Sequence, residues 1–356
     1  MGRYHASLFK PQEANRGILD SFPRLSTNNE ENFNGETRSR FMYYKSMHFP
    51  RTVFLGSPPE AIYVLEAIQR LKWPIAGVYT SADLPAGRGK KILKSPVKEY
   101  AEKMQLPFFT PSDMASPSTI EQLKKLEPEI IVLAAYGKLL PPEFLELAKL
   151  GALNVHPSLL PLYRGSIPVQ AAILRGDDKT GVSLMLMDSG LDTGPVIAQK
   201  ETALSGNEST PDLSHKLFQM GAELLIEYGP EFVSGKMKAK PQAEGSKPLR
   251  RLKKESGNID WLKSAIQIYR EIRAYTPWPG SFSYWNNAKV DISGEVVPSN
   301  EKHTPGKVIK FNQKIYIATG EGLLEVVKIK IEGRKEQNAS DFVRGHPEFI
   351  GAILPS

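Results

Sequence analysis

The runs TVFLGS (52–57), IAGVYTS (75–81) and EIIVLAAYG (129–137) are separated by segments whose apolar residues recur at helical spacing. Runs this short and this apolar read as buried strands. Strands alternating with helices at such short intervals imply parallel βαβ units packed into a doubly wound sheet. PEAIYVLEAIQRL reads as the first helix. SPVKEYAEKMQL reads as the second, with Ser95 as its cap and Pro96 at its first position. LPFFTP supplies a short strand, and STIEQLKKLEP a further helix capped by Ser118. The fold class is therefore α/β, a Rossmann-like, mainly parallel sheet.

Several chemistries drop out. The first turn, GSPPEA, is not the Gly-rich dinucleotide fingerprint, and there is no Walker A sequence. The chain has no cysteine, which removes disulfides, thiolate metal sites and cysteine nucleophiles. His156-Pro157 lacks zinc-motif spacing, so no metal is expected. No stretch approaches the ~20 apolar residues of a membrane span.

Residues 1–50 are polar and aperiodic and read as a disordered extension. They lack the apolar core of a signal peptide. Glu30, Glu31 and Glu36 count against a transit peptide, so the expected location is cytoplasmic, or organellar if the extension is nonetheless a targeting segment. Residues 51–235 form the expected catalytic domain, and 236–257 a basic linker rich in Pro, Gly and Lys/Arg. Between Lys236 and Arg273 there are 11 Lys/Arg against 4 Asp/Glu, a net of +7, which equals the net charge of the whole chain. A surplus so concentrated suits either a solvated linker or a surface for a polyanion. Residues 258–356 open with a helix and continue as short runs such as GKVIKF and QKIYIATG. These are expected to form a small, OB-like β-barrel.

The chemistry concentrates between Ala152 and Gly194. GALNVHPSLLP closes one strand candidate, and TGVSLMLMDSGLDTGPVIAQKE reads as strand, Gly-rich loop, strand. Ligand sites of such sheets lie beyond the carboxyl ends of strands, so Asn154, His156 and the acidic loop at 188–192 are expected to share a crevice. A histidine moves protons near neutral pH, a carboxylate orients it, and an asparagine amide donates to a developing oxyanion. No nucleophile elbow accompanies them, which favours direct transfer between two bound substrates.

NVHPSLLPLYRG and MDSGLDTGPV resemble the signature segments of the 10-formyltetrahydrofolate-dependent formyltransferases. Within that superfamily, LPAGRGKKILKSPVKEYA, GNIDWLKSAIQIYREIRAYTPWPGSF and EGRKEQNASDFVRGH are similar to segments of the members that act on charged initiator tRNA. Pro157 stands where Ala or Gly is usual, Tyr163 where Trp is usual, and PLRRLKKESG replaces the usual A-P-K-L.

The resemblance implies formyl transfer from 10-formyltetrahydrofolate to the α-amine of methionine on initiator tRNA; the chain is expected to act as a monomer. The resemblance makes Asn154, His156 and Asp192 the catalytic set and points to Asp192 rather than Asp188. It places folate at Ser158, Leu159, Leu160 and Pro161 and along Tyr136, Lys138 and Leu140. In the tRNA-binding role it implies Arg88, Lys90, Lys91 and Lys94 on a glycine-flanked insert. The basic linker, with Arg250 and Arg251, and the C-terminal β-barrel are expected from their charge to track the tRNA backbone. Protonated His156 is expected to help stabilise the oxyanion, with the proline-braced turn presenting backbone groups to the pterin. The alternatives are another formyltetrahydrofolate-using enzyme, such as a hydrolase module or a sugar or glycinamide formyltransferase, and a non-catalytic RNA-binding relative.

Overall fold

The computed structural model describes residues 49–86, 91–245 and 248–356. The expected extension falls almost wholly outside them, as do Arg88 and Lys90. In chain order the first strands are β1 (Thr52–Gly56), β2 (Ile75–Tyr79), the small hairpin β3 (Leu84–Ala86) and β4 (Lys91–Leu93), then β5 (Phe108–Phe109), β6 (Ile130–Ala134), β7 (Ala152–His156), β8 (Lys179–Leu186) and β9 (Val196–Ala203). Seven of these make one sheet of order β5-β2-β1-β6-β7-β8-β9. The first five are parallel, while β8 and β9 run antiparallel to their predecessors.

The central strands β1 and β6 are buried throughout because both sheet faces are covered, and successive side chains alternate between two cores. Phe54, Ile130 and Val132 point to one core, Val53, Leu55, Ile131 and Leu133 to the other. The first face is covered by α1 (Ala61–Arg70), α2 (Pro96–Lys103) and the long α6 (Thr210–Val233), the second by α3 (Pro117–Leu126) and α4 (Pro142–Glu146). The cap of α3 is Ser116 rather than Ser118: its side chain accepts from Thr119 N at 3.2 Å. Pro117 takes the first helical position, where its missing N–H is harmless.

After α5 (Pro168–Arg175) and α6, helix α7 (Ala265–Ala274) ties the halves together. Ile268 and Ile272 join the second core, Ala274 the first. Thr210 Oγ1 donates to Ala274 O at 2.7 Å, and Arg273 Nη1 to Glu208 O at 2.9 Å. Strands β10 (Phe282–Trp285), β11 (Ala288–Val297), β12 (Val308–Phe311), β13 (Lys314–Ala318), β14 (Leu323–Ile331) and β15 (Gln337–Asn338) form a barrel-like antiparallel sheet. It wraps a core of Trp261, Ile292, Ile317 and Leu324 with Phe342 of α8 (Ala339–Gly345).

The basic segment between the two cores differs from a free tether. Lys240 and Val196 exchange two backbone hydrogen bonds of 2.8 Å, and Leu249 pairs with the Arg164–Ser166 backbone. It is a strap laid across the loops that follow β7 and β8. Sequence composition shows its charge and its turn residues, whereas the pairing uses backbone groups that composition does not record. Among the described residues, no helix is long and apolar enough to cross a membrane.

Candidate active site

Asn154 and His156 lie two apart on β7, so they share one face, the same as Ala152, while Leu153 and Val155 pack against the α6 side. β7 lies between β6 and β8, an interior strand of the sheet. An asparagine is disfavoured there on strand propensity, which makes its position informative. Asn154 is half-buried, and its side-chain amide makes no hydrogen bond to the described residues.

His156 is only 4% exposed. Its Nε2 donates to Tyr163 O at 3.1 Å. Because a carbonyl only accepts, the neutral ring carries its proton on Nε2 and leaves Nδ1 as the basic nitrogen. Nδ1 faces Asp192 Oδ1 at 3.8 Å, too long for a hydrogen bond but close enough for the charge to act. Burial pushes the imidazole below its ordinary 6.5, while the Asp192 carboxylate and the Tyr163 carbonyl pull it part of the way back. Burial therefore favours the neutral ring. Desolvation outweighs the nearby charge.

Asp192 arrives by an indirect route. β8 is antiparallel to β7, so its end at Leu186 lies beside Leu153, not beside His156. The loop between β8 and β9 must fold back over the Ala152/Asn154/His156 face to reach the histidine. Asp188 builds this loop, accepting from Gly190 N at 3.0 Å and Thr193 Oγ1 at 2.7 Å. Asp192 instead turns to the site, its Oδ2 accepting from Gly165 N at 2.8 Å.

The Ser-Leu-Leu-Pro run braces the histidine. Ser158 N donates to His156 O at 2.8 Å, and Ser158 Oγ to Leu162 O at 2.6 Å. Buried Ser183 of β8 donates to Ser158 O at 2.6 Å and accepts from Leu160 N at 3.1 Å. Gln199 of β9 donates to Leu160 O at 2.8 Å. The N–H groups of Ser158 and Leu160 are thus occupied. Leu160 is buried, with Leu159 and Pro161 half-buried beside it. The run also leads the chain from His156 to Tyr163, whose carbonyl meets the imidazole.

The other candidates separate. Tyr136 is buried, its hydroxyl donating to Met114 Sδ at 3.0 Å, and burial pushes its phenol up. Lys138 Nζ donates to Pro111 O at 2.5 Å, and burial lowers its ammonium against the pull of Asp113. Leu140 is half-buried against the second-face core. Lys91 belongs to β4, and Lys94 pairs with Glu102 at 2.6 Å. Arg250 is exposed, and Arg251 Nη2 donates to Gly137 O at 2.6 Å, beside the loop after β6. Tyr163 O, Gly165 N, Ser183 and Gln199 escaped the sequence reading. The first two act through the backbone and the others are ordinary strand residues, so no motif marks them.

Arg164 is a clamp rather than a free charge. Its guanidinium donates to Gln242 Oε1 in the strap at 3.0 and 2.7 Å. Gly165 allows the approach: at φ +105, an added Cβ would lie 2.4 Å from Leu249 O. Gly165→Ala is therefore expected to lose about 1–3 kcal/mol of stability. Urea unfolding checks this, and an unchanged midpoint would show that the strap yields freely.

Residues 51–228 match the formyl transferase family and residues 251–347 match the formyl transferase C-terminal domain. The chain is 40% identical over 299 residues to the methionyl-tRNA formyltransferase of Chloroflexus aggregans, covering 83% of this chain and 97% of that protein. It is 39% identical over 302 residues to the same enzyme of Myxococcus xanthus, covering 84% and 96%. Among solved structures, HypX from Aquifex aeolicus in complex with tetrahydrofolic acid shares the fold with a TM-score of 0.58 at 18% identity. That match covers 85% of this chain and 48% of HypX, so the chain spans about half its length. An N-formyltransferase from Helicobacter canadensis in complex with folinic acid and dTDP-3-aminofucose gives 0.57 at 19% identity, over 81% and 100%. The chain belongs to the formyl transferase family.

Proposed function

We propose that the chain transfers a formyl group from 10-formyltetrahydrofolate to the α-amine of methionine on initiator tRNA, with Asn154, His156 and Asp192 as its catalytic residues. The observation that carries this reading is the meeting, on one face of β7, of an imidazole, a carboxylate and an amide that makes no hydrogen bond to the described residues.

The folate co-substrate supplies the formyl carbon and an amine leaving group. The surroundings suit it: the loops after β6 and β8 carry apolar side chains open to solvent, Leu139 at 84% and Leu191 at 45% exposed. A flat heteroaromatic ring needs such flanks with a few polar groups between them. We assign the folate contacts to the 136–140 loop and the Ser158–Pro161 run. Within them, Tyr136 and Lys138 support the loop from below.

The mechanism follows from the protonation state. Amine attack on a formyl carbon develops an oxyanion, to which the Asn154 amide donates. Nδ1 of neutral His156 takes the proton the amine must lose. The new imidazolium is stabilised by Asp192 and still held by Tyr163 O, and it returns the proton to the leaving nitrogen. Arg88, Lys90, Lys91 and Lys94, together with Arg250 and Arg251, suit the phosphates of the acceptor. The strap sets part of this charge beside the catalytic loops.

One assay tests the reading. Formyl transfer is measured with methionyl-initiator tRNA, uncharged tRNA and small amines as acceptors. Product is expected only with the charged tRNA. Equal transfer to a sugar amine, or hydrolysis alone, would overturn the acceptor assignment.

A further inference from the structure

Gln242 lies in the strap, far in sequence from Asn154, His156 and Asp192. The orientation of its amide follows from its neighbours. A guanidinium only donates and a carbonyl only accepts, so Oε1 faces Arg164 and Nε2 faces the catalytic loop. That nitrogen donates to Asp192 O at 3.0 Å and to Gly194 O at 2.6 Å.

These two carbonyls bracket an unfavourable turn. Asp192 has φ +54, a region that side-chain-bearing residues seldom adopt. Gly194 passes so close to β8 that an added Cβ would lie 2.0 Å from Leu186 O. Asp188 bonds Gly190 and Thr193 within the loop and does not bond the Asp192 peptide. The turn is therefore gripped at its carboxylate by Gly165 N and at its backbone by Gln242. Held this way, the Asp192 carboxylate stands 3.8 Å from His156.

We propose that Gln242 is a positioning residue for Asp192: its amide holds the left-handed turn that presents the carboxylate to His156. The segment joining the two cores thereby becomes part of the catalytic apparatus, and the site is complete only when the strap is seated. The assignment rests on the formyl-transfer reading for its kinetic consequence, though not for its geometry.

The test uses two variants of the full chain. Gln242→Glu keeps Arg164 as a partner, now in an ion pair, but turns acceptor oxygens toward the two carbonyls. Gln242→Met removes both interactions at similar volume. Both are expected to lower kcat about 10- to 100-fold, with KM for the folate and for the tRNA little changed. A wild-type kcat in Gln242→Glu would overturn the proposal, because it would mean that docking the strap through Arg164 suffices. Raised KM values at unchanged kcat would overturn it as well, by making the strap a substrate-binding element.

A second readout needs no acceptor: the His156 titration followed by NMR in wild type and Gln242→Glu. The charged group that bears on His156 among the described residues is Asp192, and the Tyr163 carbonyl is its other polar neighbour. Loosening the carboxylate lowers the midpoint, whereas an unchanged midpoint overturns the assignment. Should wild type form no formylated product, the formyl-transfer reading falls, and this titration still decides the role of Gln242.

Discussion

His156→Gln is expected to slow formyl transfer about 10²- to 10⁴-fold, the usual span for a lost general acid–base. Glutamine keeps a donor for Tyr163 O but has no titrating nitrogen, so the loop that histidine braces is retained while the proton path is lost. A loss under about tenfold would remove His156 from that path. The wild-type pH profile gives a companion result. Burial depresses the imidazole below 6.5, so the free enzyme keeps its neutral base down to pH values where a solvated histidine is already charged. The acid limb of kcat/KM, which reports the free enzyme, should therefore fall below 6.5. Asp192→Asn removes the charge that pulls the imidazole upward and should move the limb lower still, while also slowing the reaction. A limb above 6.5 would mean that the carboxylate outweighs desolvation.

The same depression has a stability consequence. Above 6.5 the histidine is neutral in both the folded and unfolded chains and contributes no pH dependence. As pH falls through 6.5 the unfolded chain gains a proton that the folded site resists. Stability then declines until the lower folded value is reached, where the loss levels off. In His156→Gln this component of acid destabilisation should disappear.

How far the site was legible in the sequence depends on which atoms do the work. Asn154 and His156 are separated by two positions in a strand, and period two alone puts them on one face. The parallel core was legible because strands covered on both faces must be continuously apolar, as β1 and β6 are. The direction of β8 was not, since an antiparallel neighbour buried on both faces has the same hydropathy. The fold-back of the 188–194 loop was hidden with it. The partners of His156 and Asp192 are a carbonyl and an amide N–H, which every residue offers and no motif records. Tyr136 lies inside a recognised segment, and its side chain also packs into the core, a role its aromatic type alone does not reveal. Gln242 sits in a run whose composition is that of a tether, and only the chain's path shows that it is held at both ends of its amide.

Asn154→Ala is expected to reduce kcat about 10²- to 10³-fold, as the loss of one oxyanion donor does, and to leave the protein at least as stable as wild type. The two halves of this expectation have one cause. The backbone of residue 154 pairs with Leu133 and Met185 whatever side chain it carries, so alanine leaves the ladder intact. Among the described residues the side chain has no hydrogen-bond partner, so alanine removes none of the hydrogen bonds seen there. What alanine removes is a polar group at a position where strand propensity disfavours asparagine. A residue that breaks a local rule with no structural compensation marks a functional site, and this substitution separates function from fold. Kinetics at saturating folate and tRNA, read beside a urea midpoint, decide the matter. A stable variant that has lost the rate supports the donor role. A variant that loses stability and rate together makes Asn154 a structural residue, and a rate within tenfold of wild type moves the oxyanion donor elsewhere.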